Sequence, residues 1–269
     1  MNESQVRQYW EERLGAGPTL ENVGWLGWGA GFNKWMYRIR ARVFVKRVRA
    51  ALKRQGVPTG RSSILDIGCG SGFYIDLWKR IGVRDICACD LTAAAVDALR
   101  KRYPDVSFLQ ADVGERIVPY DAESFDAISC MDVLFHIVDD NRYRQAVGHC
   151  AHLLKRGGLL ILTENCLHSP TVRSKSQVSS SLPEVEDAIT AAGLSILERR
   201  PMFVLMNTPV DSKNAALNRF WAFLRALARR NRHFGFLAGI ALYPLDLTLT
   251  SFLREGPSTE ILICRHDAP

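Results

Sequence analysis

The fold is decided by the stretch Ser62–Gly72, SSILDIGCGSG. Ile64, Leu65 and Ile67 form a short apolar run between small and polar residues, the pattern of a strand buried in a parallel sheet. Asp66 interrupts the run, and a carboxylate inside a buried strand requires partners. Three glycines at alternate positions, Gly68, Gly70 and Gly72, then lead into the helical pattern FYIDLWKRI. Glycine tolerates positive φ and close backbone approach, so such a turn can press N–H groups against a ligand at a helix N-terminus. The spacing limits the ligand. A dinucleotide fingerprint reads G-x-G-x-x-G, and counting from Gly68 and Gly70 puts Phe73 where its third glycine belongs. The motif here is D-x-G-x-G-x-G.

Outward from this turn, strand and helix patterns alternate. The first helix of the repeat ends at Ile81 with Gly82 as its stop. Val83–Cys89 reads as the second strand and closes on Asp90, where a Rossmann-like sheet offers a carboxylate to a ribose diol. Thr92 caps the next helix, AAAVDALRKRY, whose basic last turn suits the helix dipole. Val106–Gln110 is the third strand, followed by Ala111-Asp112-Val113, and Phe125–Met131 is the fourth, followed by DVLFHIVDD. Asp139 or Asp140 caps a helix to Leu154, Lys155-Arg156-Gly157-Gly158 reads as its basic last turn and stop, and Leu159–Thr163 is the fifth strand. Ser181 and Glu184 make a capping box with Pro183 in the first turn, and that helix stops at Gly193. Leu194–Leu205, interrupted at Pro201, and Thr259–Cys264 complete the strands. This alternation calls for an α/β, doubly wound sheet.

The flanks are of a different character. Asn2 or Ser4 can cap a helix to about Leu14, and ENVGWLGWGAGFN follows, with two tryptophans among glycines that suit either a lid or an anchor. From Asn33 to Gln55 apolar residues recur at helical spacing, with basic residues on the opposite face. Ten lysines and arginines lie between Lys34 and Arg61 without one acid, and Arg219, Arg225, Arg229, Arg230 and Arg232 form a second basic group. The net charge is +7. Such stretches are solvated faces, or they meet an anionic partner. Between the last two strands Lys213–Arg232 reads as a helix, and Phe234–Leu253 is nearly continuous apolar sequence with Asp246 as its only charge. That run is long enough to cross a bilayer, but Pro244, Asp246 and the strand that follows oppose it. The open readings are a substrate lid, a peripheral membrane contact or a homodimer contact. The chain thus divides into an N-terminal helical cap over 1–60, a core over 61–206 and 258–269, and a helical insertion over 207–257. Seven cysteines without a C-x-x-C pair suggest buried thiols in the cytoplasm, and the charged N-terminus has no signal-peptide core. No Asp/His set points to a metal.

Taken together, the acid–glycine loop, Asp90, Asp112, the Leu134-Phe135-His136 segment and the Gly157-Gly158 turn resemble class I S-adenosylmethionine-dependent methyltransferases over about Arg61–Glu164. The resemblance implies strand order 3-2-1-4-5-7-6, with the last two strands an antiparallel pair. It implies S-adenosyl-L-methionine as cofactor, its methionine moiety at Asp66 and the loop of Gly68, Gly70 and Gly72. Asp90 would take the ribose, Leu91 would lie against the adenine, Asp112 and Val113 would hold the adenine edge, and Met131 would line the methyl-transfer side. His136, which titrates near neutrality and follows the strand facing the donor, is the candidate general base, with His168 a weaker one. The expected activity is methylation of oxygen or nitrogen on a small organic acceptor. Alternatives are a lipid or membrane-associated acceptor and, outside the class, a nicotinamide-dependent oxidoreductase, which the residue at Phe73 disfavours. The run C-M-D-V after the fourth strand lacks an N-P-P-Y-type tetrapeptide, so no nucleic acid is expected as partner.

Overall fold

The computed structural model describes residues 3–115, 119–230 and 233–267. In chain order the elements are α1 (Glu3–Gly15), α2 (Leu20–Val23), α3 (Gly29–Arg54), β1 (Ser63–Ile67), α4 (Phe73–Ile81), β2 (Asp85–Asp90), α5 (Ala93–Arg102), β3 (Ser107–Gln110) and β4 (Phe125–Cys130). They continue with α6 (Asp140–Leu153), β5 (Leu154–Glu164), a short ribbon of β6 (Val172–Arg173) and β7 (Val178–Ser179), α7 (Leu182–Ala191) and β8 (Leu194–Pro201). The chain closes with α8 (Ala215–Arg230), α9 (Phe234–Phe252) and β9 (Glu260–His266).

The main sheet has seven strands in the order β3-β2-β1-β4-β5-β9-β8. With the β6–β7 ribbon set aside, this is the order 3-2-1-4-5-7-6 that the resemblance implies. β1, the strand of the opening motif, lies between β2 and β4, and all strand pairs from β3 to β5 are parallel. β9 runs antiparallel to both β5 and β8. β1 is buried on both faces because helices cover both, which is why Ile64, Leu65 and Ile67 are all apolar around the single acid Asp66. On one face α3, α4 and α5 pack around Phe44, Ile75, Trp78 and Leu99, and on the other α6 and α7 pack around Val147, Cys150, Val185 and Ile189.

Several local signals act as the residues demand. Thr92 Oγ1 accepts the Ala95 N–H at 3.3 Å, Asp139 Oδ1 accepts the Arg142 N–H at 3.0 Å, and Ser181 with Glu184 closes a reciprocal capping box. One junction differs. Lys155–Gly158 is not a helix end, for α6 stops at Leu153 and β5 already begins at Leu154, which pairs with Phe125. The pairing then slips between Phe125 and Ala127, and Gly157 absorbs the irregularity at φ 75°. Across the pair Lys155 Nζ donates to Asp126 Oδ2 at 2.9 Å. Asn2, Arg232 and the side chain of Arg229 lie outside the described residues.

α3 begins at Gly29, four residues before its periodic pattern, and its early glycines serve packing. A Cβ on Gly31 would lie 2.9 Å from Phe236 Cβ, and one on Gly239 would overlap the Trp35 ring, so α3 and α9 approach closely. Trp25 and Trp28 are anchors for the insertion rather than a wall of the site, their rings 6.1 and 5.3 Å from Trp221 of α8. Asp246, the lone charge of the apolar run, points inward. It is fully buried, and its Oδ1 accepts the N–H groups of Val204 and Leu205, each at 2.7 Å.

Glu164, at the end of β5, is also fully buried, and neither of its carboxylate oxygens has a hydrogen-bond partner among the described residues. Burial pushes its pKa up to about 8. The native protein therefore holds a proton that the unfolded chain releases near pH ~4.3, and stability contributed at low pH is lost as pH rises through the native value. Glu164→Gln is expected to raise the melting temperature more above pH ~8.5 than below pH ~6, measured by thermal melts across that range. An equal shift at both ends would show that the carboxyl does not titrate with folding.

Candidate active site

The pocket opens at the carboxyl ends of β1, β2 and β4, where the glycine loop turns into α4. Gly68, Gly70 and Gly72 all have positive φ (71°, 48° and 76°). At Gly68 the demand is double, because a Cβ there would overlap the Val133 side chain. The loop is fixed by its neighbours. Gly68 and Cys69 donate their N–H groups to Cys89 O at 2.8 and 3.1 Å, and the Gly70 N–H donates to Asp90 Oδ2 at 2.8 Å. The other Asp90 oxygen accepts the Thr92 N–H (2.9 Å) and hydroxyl (2.7 Å). Burial raises the Asp90 pKa, with the Thr92 and Gly70 donors opposing that rise.

Of the residues singled out from sequence, Gly68, Gly70, Asp90, Leu91, Asp112, Val113, Met131 and His136 line this one pocket. Asp66 and Gly72 do not line it. Asp66 lies beneath the loop in β1, where Ser129, its neighbour in β4, donates to Oδ1 at 2.5 Å and in turn accepts the Trp78 indole N–H. Asp66 Oδ2 is buried without a partner, and burial pushes the carboxyl up to about 7 against the Ser129 hydrogen bond. Asp112 already has company, since Oδ2 accepts from Arg142 at 2.9 Å and Oδ1 accepts the Gly114 N–H at 3.0 Å. His168 is elsewhere, on the surface, its Nδ1 2.6 Å from Asp211.

His136 sits in a short turn after β4. Its Nδ1 lies 2.8 Å from the carbonyl oxygen of Ser176, and the Trp10 ring meets it edge-on at 5.1 Å. A carbonyl only accepts, so Nδ1 carries the proton and the neutral ring presents Nε2 as an acceptor. Burial lowers the pKa of His136, which keeps that neutral form at physiological pH.

Other residues in the pocket were not singled out from the sequence. Asp132 directly follows β4 and Met131, and holds a left-handed conformation (φ 61°) rare for a residue with a side chain. Its N–H donates to Thr163 Oγ1 at 2.7 Å, and its carboxylate forms an ion pair with Arg40, a buried residue of α3. Tyr37 of α3 and Tyr74 of α4 flank the pair at the pocket wall, and the Tyr74 hydroxyl is buried without a partner. α1 closes the other side. Val6, Trp10 and Leu14 line the pocket, and Glu11 accepts the N–H groups of Ala93 and Ala94 at the start of α5 (3.0 and 2.9 Å). No described residue of 207–257 is among those that line it.

Residues 64–158 match the family described as "Methyltransferase domain". With the strand order and glycine loop in place, that match decides the assignment. These residues are a class I S-adenosylmethionine-dependent methyltransferase domain. Curated relatives agree with this match. A ubiquinone biosynthesis O-methyltransferase of Paracidovorax citrulli is 34% identical over 99 residues, 35% of this chain and 40% of that protein. A probable S-adenosylmethionine-dependent methyltransferase of Mycobacterium tuberculosis is 34% identical over 100 residues, 37% of this chain and 34% of that protein. The chain thus spans well under half the length of these relatives. Among solved structures, magnesium protoporphyrin IX methyltransferase from Synechocystis with bound SAH aligns with a TM-score of 0.58 at 14% identity, covering 99% of this chain and 100% of that one. The [4+2]-cyclase SpnF aligns with a TM-score of 0.54 at 17% identity over 83% of this chain and 81% of its own. These likenesses concern the methyltransferase fold, and the cyclase among them is a reminder that reaction is argued from the site.

The cofactor of this methyltransferase domain is S-adenosyl-L-methionine, and the pocket fits it. The loop offers backbone where a Cβ could not stand, and Asp66 Oδ2 is an unpaired buried acceptor beneath it. Asp90 lies at the next strand end with its carboxylate held in place by three donors. Among the described residues no group of acids, histidines and cysteines suits a metal ion.

Proposed function

We propose that the protein transfers a methyl group to oxygen or nitrogen of a small organic acceptor, with the acceptor lying between Met131, Asp132, Tyr37 and His136. One observation carries this reading. A single pocket joins the glycine loop and Asp90 at one end to His136 and the Arg40–Asp132 pair at the other, beneath an apolar cover from α1. Bound S-adenosylmethionine supplies a methyl group already activated on a sulfonium.

What remains for the chain is positioning, desolvation and removal of a proton. The loop of Gly68 and Gly70 with Asp66 would hold the methionine end, Asp90 the ribose, and Leu91, Asp112 and Val113 the adenine. Asp112 is already bound by Arg142 and the Gly114 N–H, two donors against the three on Asp90, so both carboxylates meet the ligand with lone pairs that those partners have left. Trp10, Val6 and Leu14 exclude water. His136 Nε2 would take the acceptor proton, and Arg40 with Asp132 would orient its polar group. The apolar cover of Val6, Trp10 and Leu14 over a few convergent polar groups supports a compact organic acceptor over a charged polymer.

The test is release of S-adenosylhomocysteine from purified protein, followed by mass spectrometry across a panel of phenols, enols, amines and carboxylic acids. Saturable methylation of one chemical class, seen as the mass gain of one CH₂ per transfer, is the expected result. Cofactor binding without transfer to any class would favour a non-catalytic or different role.

A further inference from the structure

The insertion that the pocket does not use forms a surface of its own. α9 lies alongside α3, and its outward positions recur at helical spacing as Phe236, Leu237, Ile240, Leu245 and Phe252. Leu237 is 61% exposed and Phe252 81%. On α8 Phe223 is 60% exposed, beside Arg219 and Arg225. An apolar face of this kind on a soluble domain marks a contact.

The charge beside it identifies the partner. α3 exposes Lys34, Arg38, Arg42 and Lys46, every fourth residue, so they form one stripe along the helix. The stripe borders the apolar face. The Arg38 guanidinium stacks on the Trp35 ring at 4.2 Å, Trp35 meets Phe236 and Tyr243, and Lys46 donates to Ser251 at 3.3 Å. Among the described residues no carboxylate pairs with Lys34, Arg38 or Arg42. The only acid between 213 and 253, Asp246, is turned inward and occupied by backbone N–H groups.

We propose that α9, with the basic stripe of α3 and the outer face of α8, seats on an anionic lipid bilayer. α9 is long and apolar enough to cross a membrane. It lies in the surface instead, because Asp246 caps a buried turn, Gly239 is locked against Trp35, and the chain passes next into β9 of the central sheet. An apolar face flanked by lysines and arginines that no carboxylate neutralises among the described residues matches a lipid surface, whose anionic headgroups attract such residues. A second copy fits less well, since pairing through this face brings in the same basic stripe and no acid to neutralise it. The inner side of α3 carries Tyr37 to the pocket and Arg40 to Asp132 in its wall, so one helix connects bilayer and site.

The test is flotation of the purified full chain with phosphatidylcholine vesicles and with equimolar phosphatidylcholine–phosphatidylglycerol vesicles. Binding to the anionic vesicles that weakens with salt is expected, with little binding to the neutral ones. Lys34→Gln/Arg42→Gln/Lys46→Gln is expected to weaken partition about a hundredfold, and Leu237→Glu/Phe223→Glu to abolish it. Calorimetric S-adenosylmethionine binding should be unchanged in both variants, which shows that they are folded. Failure of the wild-type chain to float with anionic vesicles overturns the proposal. So does equal binding to both vesicle types, or a concentration-dependent dimer that Leu237→Glu breaks in sedimentation.

Discussion

His136→Gln is expected to lower turnover by about 10²- to 10⁴-fold, the range that a positioned general base supplies, with S-adenosylmethionine affinity unchanged. Glutamine retains polarity and much of the volume but takes no proton at neutral pH. The ring presents Nε2 because Nδ1 is engaged by Ser176 O, so the loss should appear in kcat with the identified acceptor. The wild-type pH profile should agree. Burial lowers the His136 pKa, so the neutral, proton-accepting form persists to lower pH than for a free imidazole, and activity falls only as pH drops through that lowered value. Unchanged turnover in His136→Gln would remove the base assignment and direct attention to Asp132. Asp132→Asn tells the two apart, because it leaves Arg40 as an unpaired buried charge and should lower the melting temperature as well as the rate.

Asp90→Ala is expected to weaken S-adenosylmethionine binding by about 10²- to 10³-fold, or roughly 3–4 kcal/mol by calorimetric titration. Two losses add up. The carboxylate would no longer meet the ribose hydroxyls, and the Gly70 N–H, Thr92 N–H and Thr92 hydroxyl would lose the acceptor that fixes the loop against the start of α5. Asp90→Asn keeps an acceptor oxygen for part of this set and should fall between alanine and wild type. An affinity within threefold of wild type, roughly 0.65 kcal/mol, would exclude Asp90 from the cofactor site.

The sheet was legible because its strands are short apolar runs with capped helices between them, patterns set by burial on two faces. Most of the residues picked out from the sequence line one pocket, and for a local reason. Asp90, Asp112 and the glycines each stand at a strand end that sequence order locates. The cover was harder to read. Trp10 reaches His136 across about 126 residues of chain, a proximity that only the packing of α1 creates. Arg40 was legible in principle: it stands four residues from both Met36 and Phe44, on the buried side of α3, yet its type placed it with Arg38 and Arg42 on the solvated side. Asp132, quoted in the run C-M-D-V, shows its left-handed backbone only in three dimensions. Lys155–Gly158 was misread because a glycine pair after basic residues signals a helix stop, and here the same pair bends a strand.

The docking of α1 has a thermodynamic corollary. This helix is held by Glu11 at the start of α5, by Arg13 on Gly24 O, and by a few apolar side chains that also face the pocket. So slight an anchorage places its undocking among the lower-energy openings of the fold. Whatever free energy the docked helix adds to retention of a bound molecule, that molecule returns in equal measure to the docking of the helix. Occupancy and the docking of Glu3–Gly15 are thus one equilibrium, and α1 is as much a part of the ligand's affinity as the loop beneath it.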